Sequence, residues 1–275
     1  MGWVAQAALD SRLEAIVRRD RRVVAASLGA VIALAWIYLW LAAGSMNSMQ
    51  VAAMPDMPDM PDMPMPGTAP DLSLVSLLLT FLMWTVMMIG MMLPSAAPTI
   101  LLYAVMVRKN GARGTVLPGA WVFVSGYLAA WTGFSLVAAL LQVALEAATL
   151  LTPMMVSASR GLSAAILLAA GIYQWLPIKD ACLRKCQAPV QFFVARWRAG
   201  AAGAFRMGVE SGLYCLGCCG VLMLLLFVAG VMNLLWVAVI AGFVLLEKLL
   251  PAGRIVSRAA GLVLIVAGVA LLVRP

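Results

Sequence analysis

The chain has no histidine, and only 11% of its 275 residues are charged. Without imidazole, histidine ligation of haem and Ser-His nucleophilic catalysis are excluded. No G-x-x-x-x-G-K-[ST] element is present, so nucleotide-driven pumping by this chain is not expected. There is no D-K-T phosphorylation site, and no stretch with the composition of a soluble domain. A soluble fold of this length would need more charge to cover its surface. Apolar residues take that place, at 64% of the chain and a mean hydropathy of +1.02. The formal charge of +8 does not point to nucleic acid. The basic residues cluster between apolar runs, as the loop charges of a membrane protein do.

Apolar runs of about 18 residues or more are the signature of membrane helices. Seven such spans are expected, over 23–43, 72–93 (running on towards 107), 115–145, 158–177, 208–230, 234–250 and 255–273. The expected fold is therefore all-α, a polytopic membrane bundle. Lys and Arg gather in alternate segments: Arg12, Arg18, Arg19, Arg21 and Arg22; Arg108, Lys109 and Arg113; Lys179, Arg184, Lys185, Arg196, Arg198 and Arg206; and Lys248, Arg254 and Arg258. The opposite side holds only Arg160 and Arg274. The positive-inside rule then places the N-terminus in the cytoplasm and the C-terminus outside. The chain divides into a basic cytoplasmic segment 1–22, an anchor 23–43 read as retained, an extracytoplasmic linker 44–71, and a six-helix domain 72–275 with a cytoplasmic cysteine loop at 178–206. A tight hairpin at Met232-Asn233 is needed to separate the sixth span from the fifth.

Sulfur is abundant. Twelve of the nineteen methionines lie between Met46 and Met92. In the linker, Pro-Asp-Met repeats three times from Pro55 to Met63. Proline at every third position prevents a helix and favours polyproline II, with three residues per turn. Met57, Met60 and Met63 then line one edge, about 9 Å apart at about 3.1 Å per residue, so one ion cannot bridge two neighbours on a straight segment. Such a segment suits weak, repeated capture of a soft cation. In the second span, Met83, Met87 and Met91 fall on one helix face, with Met88 and Met92 beside them. Pro94 and Pro98 follow and are expected to break or kink the helix. Methionine also fills irregular packing, but five in ten residues beside seven in the linker favour a ligand role.

The five cysteines form two groups, Cys182 with Cys186, and Cys215, Cys218 and Cys219 in CLGCC, early in the fifth span. Positions 215, 218 and 219 share one side of a helix. Both groups are expected toward the cytoplasmic face, where a reducing environment disfavours structural disulfides. Lys179, Arg184 and Lys185 are expected to lower the thiol pKa of the first pair. Soft sulfur ligands without imidazole favour Cu(I) over Zn, for which methionine is a poor ligand. Gly208 and Gly212 form G-x-x-x-G, a close-packing motif. Glu247, with Lys248 beside it, is a carboxylate near a membrane boundary, and Glu210 is expected to pair with Arg206.

The strings MWTVMMIGMMLPSAAP, YQWLPIKDACLRKCQAP and GLYCLGCCGVLMLLLFVAGVMNLLWVAVIAGFVLLEKLLPAG resemble a bacterial family of predicted metal-binding integral membrane proteins of unknown function, sometimes labelled a copper chaperone family. The resemblance covers about residues 75 to 270. It implies a multi-pass protein of the inner membrane with a metal role. The matching positions are Met83, Met87, Met88, Met91, Met92 and Pro94, then Lys179, Cys182, Cys186 and Pro189, then Cys215, Cys218, Cys219, Asn233, Glu247 and Lys248. The Pro-Asp-Met repeat lies outside it.

The expected function is Cu(I) binding and transfer or transport, in a protein that is not an enzyme. The linker collects copper outside, the methionine strip conducts it, and the cysteines receive it, with a copper-receiving protein as a further partner. Two other readings compete. A thiol oxidoreductase would pass electrons through Cys215 and Cys218, and an assembly subunit of a membrane complex would co-purify at fixed stoichiometry.

Overall fold

The computed structural model describes residues 14–45, 73–109, 116–151, 157 and 159–273, with helical backbone also at 2–13 and 46–52. Met57, Met60, Met63 and most of the linker lie outside the described residues. The helices are α1 (Gly2–Ala52), α2 (Leu74–Lys109), α3 (Leu117–Ala147), α4 (Arg160–Tyr173), α5 (Pro177–Gln187), α6 (Pro189–Arg196), α7 (Gly200–Cys219), α8 (Leu226–Ala229), α9 (Leu234–Leu249) and α10 (Gly253–Val273), with a 3-10 segment Gly220–Leu225 between α7 and α8. The fold is all-α among the described residues, with one isolated β-bridge, Leu151 to Ser157.

Among the described residues, five helices are long and apolar enough to cross a membrane: Glu14–Ser45, Leu74–Lys109, Leu117–Ala147, Gly200–Ala229 and Gly253–Val273. The expected spans at 158–177 and 234–250 correspond to shorter helices. α4 has 14 residues and gives way to α5 across a 64° bend. Pro177 causes the break, because a proline is accommodated in the first turn of a new helix and not inside a continuing one. α9 has 16 residues, fewer than the about 20 that a bilayer core requires. The segment 178–206, read from sequence as a loop, contains α5, α6 and the first turns of α7. Where the hairpin at Met232-Asn233 is expected, the chain makes a turn between α8 and α9, with the Asn233 N–H donating to the Gly230 carbonyl at 3.1 Å. Gly230 adopts a φ of 94°, open to glycine at little cost, and the Asn233 side chain caps α9 by accepting from the Trp236 N–H at 3.4 Å.

Of the break or kink expected at Pro94 and Pro98, the break does not occur: α2 runs unbroken through both. A proline at position 94 cannot donate to the carbonyl of Gly90, four residues earlier. That carbonyl instead accepts the indole N–H of Trp36 from α1 at 3.2 Å. The lost backbone bond is thus replaced between helices, as a membrane interior demands.

The G-x-x-x-G of α7 sets the position of α3. A methyl group at Gly208 would collide with the Phe123 carbonyl, and one at Gly126 with the Phe205 carbonyl. Backbone therefore touches backbone, the contact small residues permit. α4 meets α10 in the same way through Gly171 and Gly261. Outside this packing, large apolar side chains such as Leu34, Trp40, Leu79, Val137, Leu262 and Val266 are exposed. Water would penalise such a surface, whereas lipid would not.

Candidate metal centre

α7 begins at Gly200, not near 208 as the apolar run suggested, so CLGCC sits halfway along the apolar stretch Gly200–Ala229. The i, i+3, i+4 spacing brings the sulfurs of Cys215, Cys218 and Cys219 within 4.8 Å of one another, all buried. The Cys218 and Cys219 thiols donate to the Cys215 carbonyl at 3.1 and 3.0 Å, which holds them against the helix. Cys215 Sγ and Cys219 Sγ are 3.9 Å apart.

Two other helices add sulfur. α5 lies along α7 and places Cys186 Sγ 3.9 Å from Cys218 Sγ. Cys182 Sγ lies 2.6 Å from where a Cβ on Gly217 would stand, so a side chain at 217 would have to displace the Cys182 thiol. From α2, Met92 Sδ lies 3.9 Å from Cys219 Sγ. Met92, Cys186, Cys215, Cys218 and Cys219 thus form one chain of sulfur atoms from three helices. Three sulfurs about 2.3 Å from one ion, the usual metal–thiolate distance, stand about 4 Å apart in a trigonal plane. The sulfur spacings here, 3.9 Å between Cys215 and Cys219 and at most 4.8 Å within the trio, are close to that.

The rest of the methionine strip is also internal. Met83, Met87, Met88 and Met91 are buried, and with Met92 they occupy about 13.5 Å of helix at about 1.5 Å per residue. Trp84, between them, donates to Gln142 Oε1 at 2.7 Å and packs on Phe227 with ring centroids 5.3 Å apart.

Charged and hydroxyl groups surround the sulfurs. Lys248, from α9, donates to Ser95 Oγ and to Cys215 Sγ, both at 2.9 Å. Tyr127, set by the α3–α7 glycine contact, shares a 2.9 Å hydrogen bond with Cys215 Sγ. The adjacent residue on α9, Glu247, pairs with Lys179 of α5 at 2.7 Å, both side chains at most 1% exposed. Lys179 is therefore committed to a carboxylate. Burial, with the neighbouring Cys218, pushes the Cys182 thiol above the usual range, against the lowering expected from Lys179, Arg184 and Lys185. Glu210 pairs with Arg206 at 3.8 Å as expected, and also with Arg196 and Arg198.

A crevice of about 20 Å³, room for about one water, reaches this site and is lined by Lys185, Cys186, Ser211, Tyr214, Cys215 and Lys248, among others. Ser95, Tyr127 and the contact of Lys248 with a thiol were not anticipated from sequence. A Glu-Lys pair inside the apolar run of α9 was the available signal for Lys248. Nothing in the local sequence distinguishes Tyr127 or Ser95.

A family model described as PpoB2, copper chaperone, matches residues 81–271. No curated protein and no solved structure matches the chain.

Proposed function

Since the chain belongs to the PpoB2 copper chaperone family, we propose that it is an integral membrane carrier that binds Cu(I) on sulfur and hands it on. The observation that carries this reading is the meeting of two sulfur sets: Met92, last in the thioether strip of α2, lies 3.9 Å from Cys219 of the thiol cluster on α7. Thioethers and thiolates without imidazole suit Cu(I) better than Zn. Cys215, Cys218 and Cys219 hold the ion, with Cys186 and Met92 in reach. Met57, Met60 and Met63 gather copper, and Met83, Met87, Met88 and Met91 pass it along α2. Because thiolate binds Cu(I) more tightly than thioether, the direction is from methionine to cysteine.

The carrier sits in the bacterial inner membrane with seven spans, two of them short. Its N-terminus and basic segments are cytoplasmic, and its C-terminus is outside. A copper-receiving protein or membrane complex takes the ion. No bond of a substrate is made or broken except to the metal, so the protein acts as a carrier and not as an enzyme. Lys179 and Glu247 pin α5 to α9 and so hold the cysteine helix against the site.

The test is elemental analysis of the detergent-purified chain, offered Cu(I) under reducing, anaerobic conditions. Wild type is compared with a Cys215→Ser, Cys218→Ser, Cys219→Ser triple variant and with a deletion of 44–71. Stoichiometric copper that is lost in the triple variant is expected. Wild type holding no more copper than a methionine-poor membrane protein would overturn the reading.

A further inference from the structure

Three of the cluster thiols are sealed: Cys215, Cys218 and Cys219 are at most 2% exposed. Cys215 borders the crevice, whereas Cys218 and Cys219 do not, so an ion reaches those two by way of another group. Cys186 is the half-buried thiol in contact with them, 3.9 Å from Cys218, and it lines the crevice that also contains Cys215. Cys182 is half-buried on the same helix, but its sulfur faces Gly217 and it does not line the crevice. The crevice has room for about one water, too narrow for a protein domain, so a small donor would meet Cys186 at its mouth. Lys185 and Lys248 line it, and among the described residues no carboxylate does. A Cu(I) ion held by two thiolates carries a net negative charge, which this lining attracts.

We infer that Cys186 is a relay thiol, through which Cu(I) exchanges between the buried cluster and a small anionic thiol complex at the mouth of the crevice. The inference rests on the copper reading above and adds a route and a donor class to it. Exchange is associative. The Cys186 sulfur binds copper, its proton leaves to water in the crevice, and one donor thiolate–copper bond breaks and takes up a proton. The Cys218 sulfur then binds and passes its proton to the Cys186 sulfur as the Cys186–copper bond breaks, and Cys215 binds in place of the second donor thiolate, which leaves with the Cys215 proton. Copper remains Cu(I) throughout, so no oxidant or reductant is needed.

The test uses the full chain in detergent under anaerobic conditions, with a Cu(I)–glutathione complex as donor. It measures both the loading rate by stopped flow and the copper bound at saturation. Cys186→Ser is expected to slow loading about tenfold or more, since a hard oxygen replaces the soft exchanging ligand, and to leave saturation unchanged. Cys182→Ser should load as wild type does. Ser211→Trp, which fills the crevice one turn from Cys215, should slow loading with no cysteine changed. Wild-type loading by Cys186→Ser overturns the relay. Less copper at saturation in Cys186→Ser also overturns it, because Cys186 would then be a resident ligand. A wild type that binds no Cu(I) would instead place the failure in the copper reading itself.

Discussion

The indole of Trp36 and the carbonyl of Gly90 are hydrogen-bonded at 3.2 Å across two helices, and the carbonyl is the one Pro94 leaves without an N–H. α1 therefore completes the backbone of α2 next to the methionine strip. Trp36→Phe should lower stability by about 1–3 kcal/mol, the usual cost of an unsatisfied buried acceptor. In a Pro94→Ala background an N–H is restored at position 94, and the cost should shrink. Thermal unfolding of the four proteins in detergent measures this coupling. Equal costs in both backgrounds would show that the indole bond does not compensate for the proline.

The glycines of α3 and α7 should respond in opposite ways according to the space around them. Gly208→Ala puts a methyl group into the Phe123 carbonyl and should destabilise by about 1–3 kcal/mol, as overpacking does. Gly133→Ala meets nothing within 4 Å and should be neutral, or more stable by up to about 1 kcal/mol from helix propensity. Chemical unfolding of both variants provides the comparison. A neutral Gly208→Ala would mean that the helices do not touch there.

Breaking the Lys179–Glu247 pair from one side should be severe. Lys179→Met leaves a buried carboxylate alone and should cost about 3–5 kcal/mol. Adding Glu247→Leu should recover much of that loss, because the pair as a whole contributes less than its halves cost singly. Stability of the single and double variants, with the reactivity of Cys186 as a reporter of α5 docking, tests this. A double variant no better than Lys179→Met would falsify the pairing.

Met92 and the methionines above it should separate by assay. Leu replaces Met with little change in volume, so each exchange should cost less than about 1.5 kcal/mol. Met92→Leu removes the thioether beside Cys219 and should weaken Cu(I) binding in chelator competition. Met87→Leu with Met91→Leu should leave that binding intact but reduce copper uptake into cells. Unchanged uptake would remove the strip from the route.

Contacts within one helix were readable in the sequence, and contacts between helices largely were not. The spacing of Cys215, Cys218 and Cys219 fixes their shared face once a helix is assumed, and Gly208 with Gly212 announces a close neighbour. Neither says that the neighbour is α3, nor that Tyr127 consequently meets Cys215. Cys186 and Cys218 are 32 positions apart, and Met92 and Cys219 are 127 apart. Their meeting depends on how α5 and α2 dock, which periodicity does not encode. Pro94 misled for a similar reason, since the donor that lets α2 continue stands on another helix. The apolar run also began the fifth span too late, since α7 extends back to Gly200, past Arg206, which lies against Glu210.

Glu247 and Lys248 point about 100° apart on α9 because they are consecutive. One reaches α5, and the other reaches α2 and α7. Loss or gain of a single residue between Asn233 and Glu247 would turn both by that angle, detaching two partners at once. α9 is therefore a segment whose length cannot drift, whereas the Pro-Asp-Met repeat could lengthen or shorten by whole units and keep its pattern. Related chains should differ in repeat number and agree in the distance from Asn233 to Lys248.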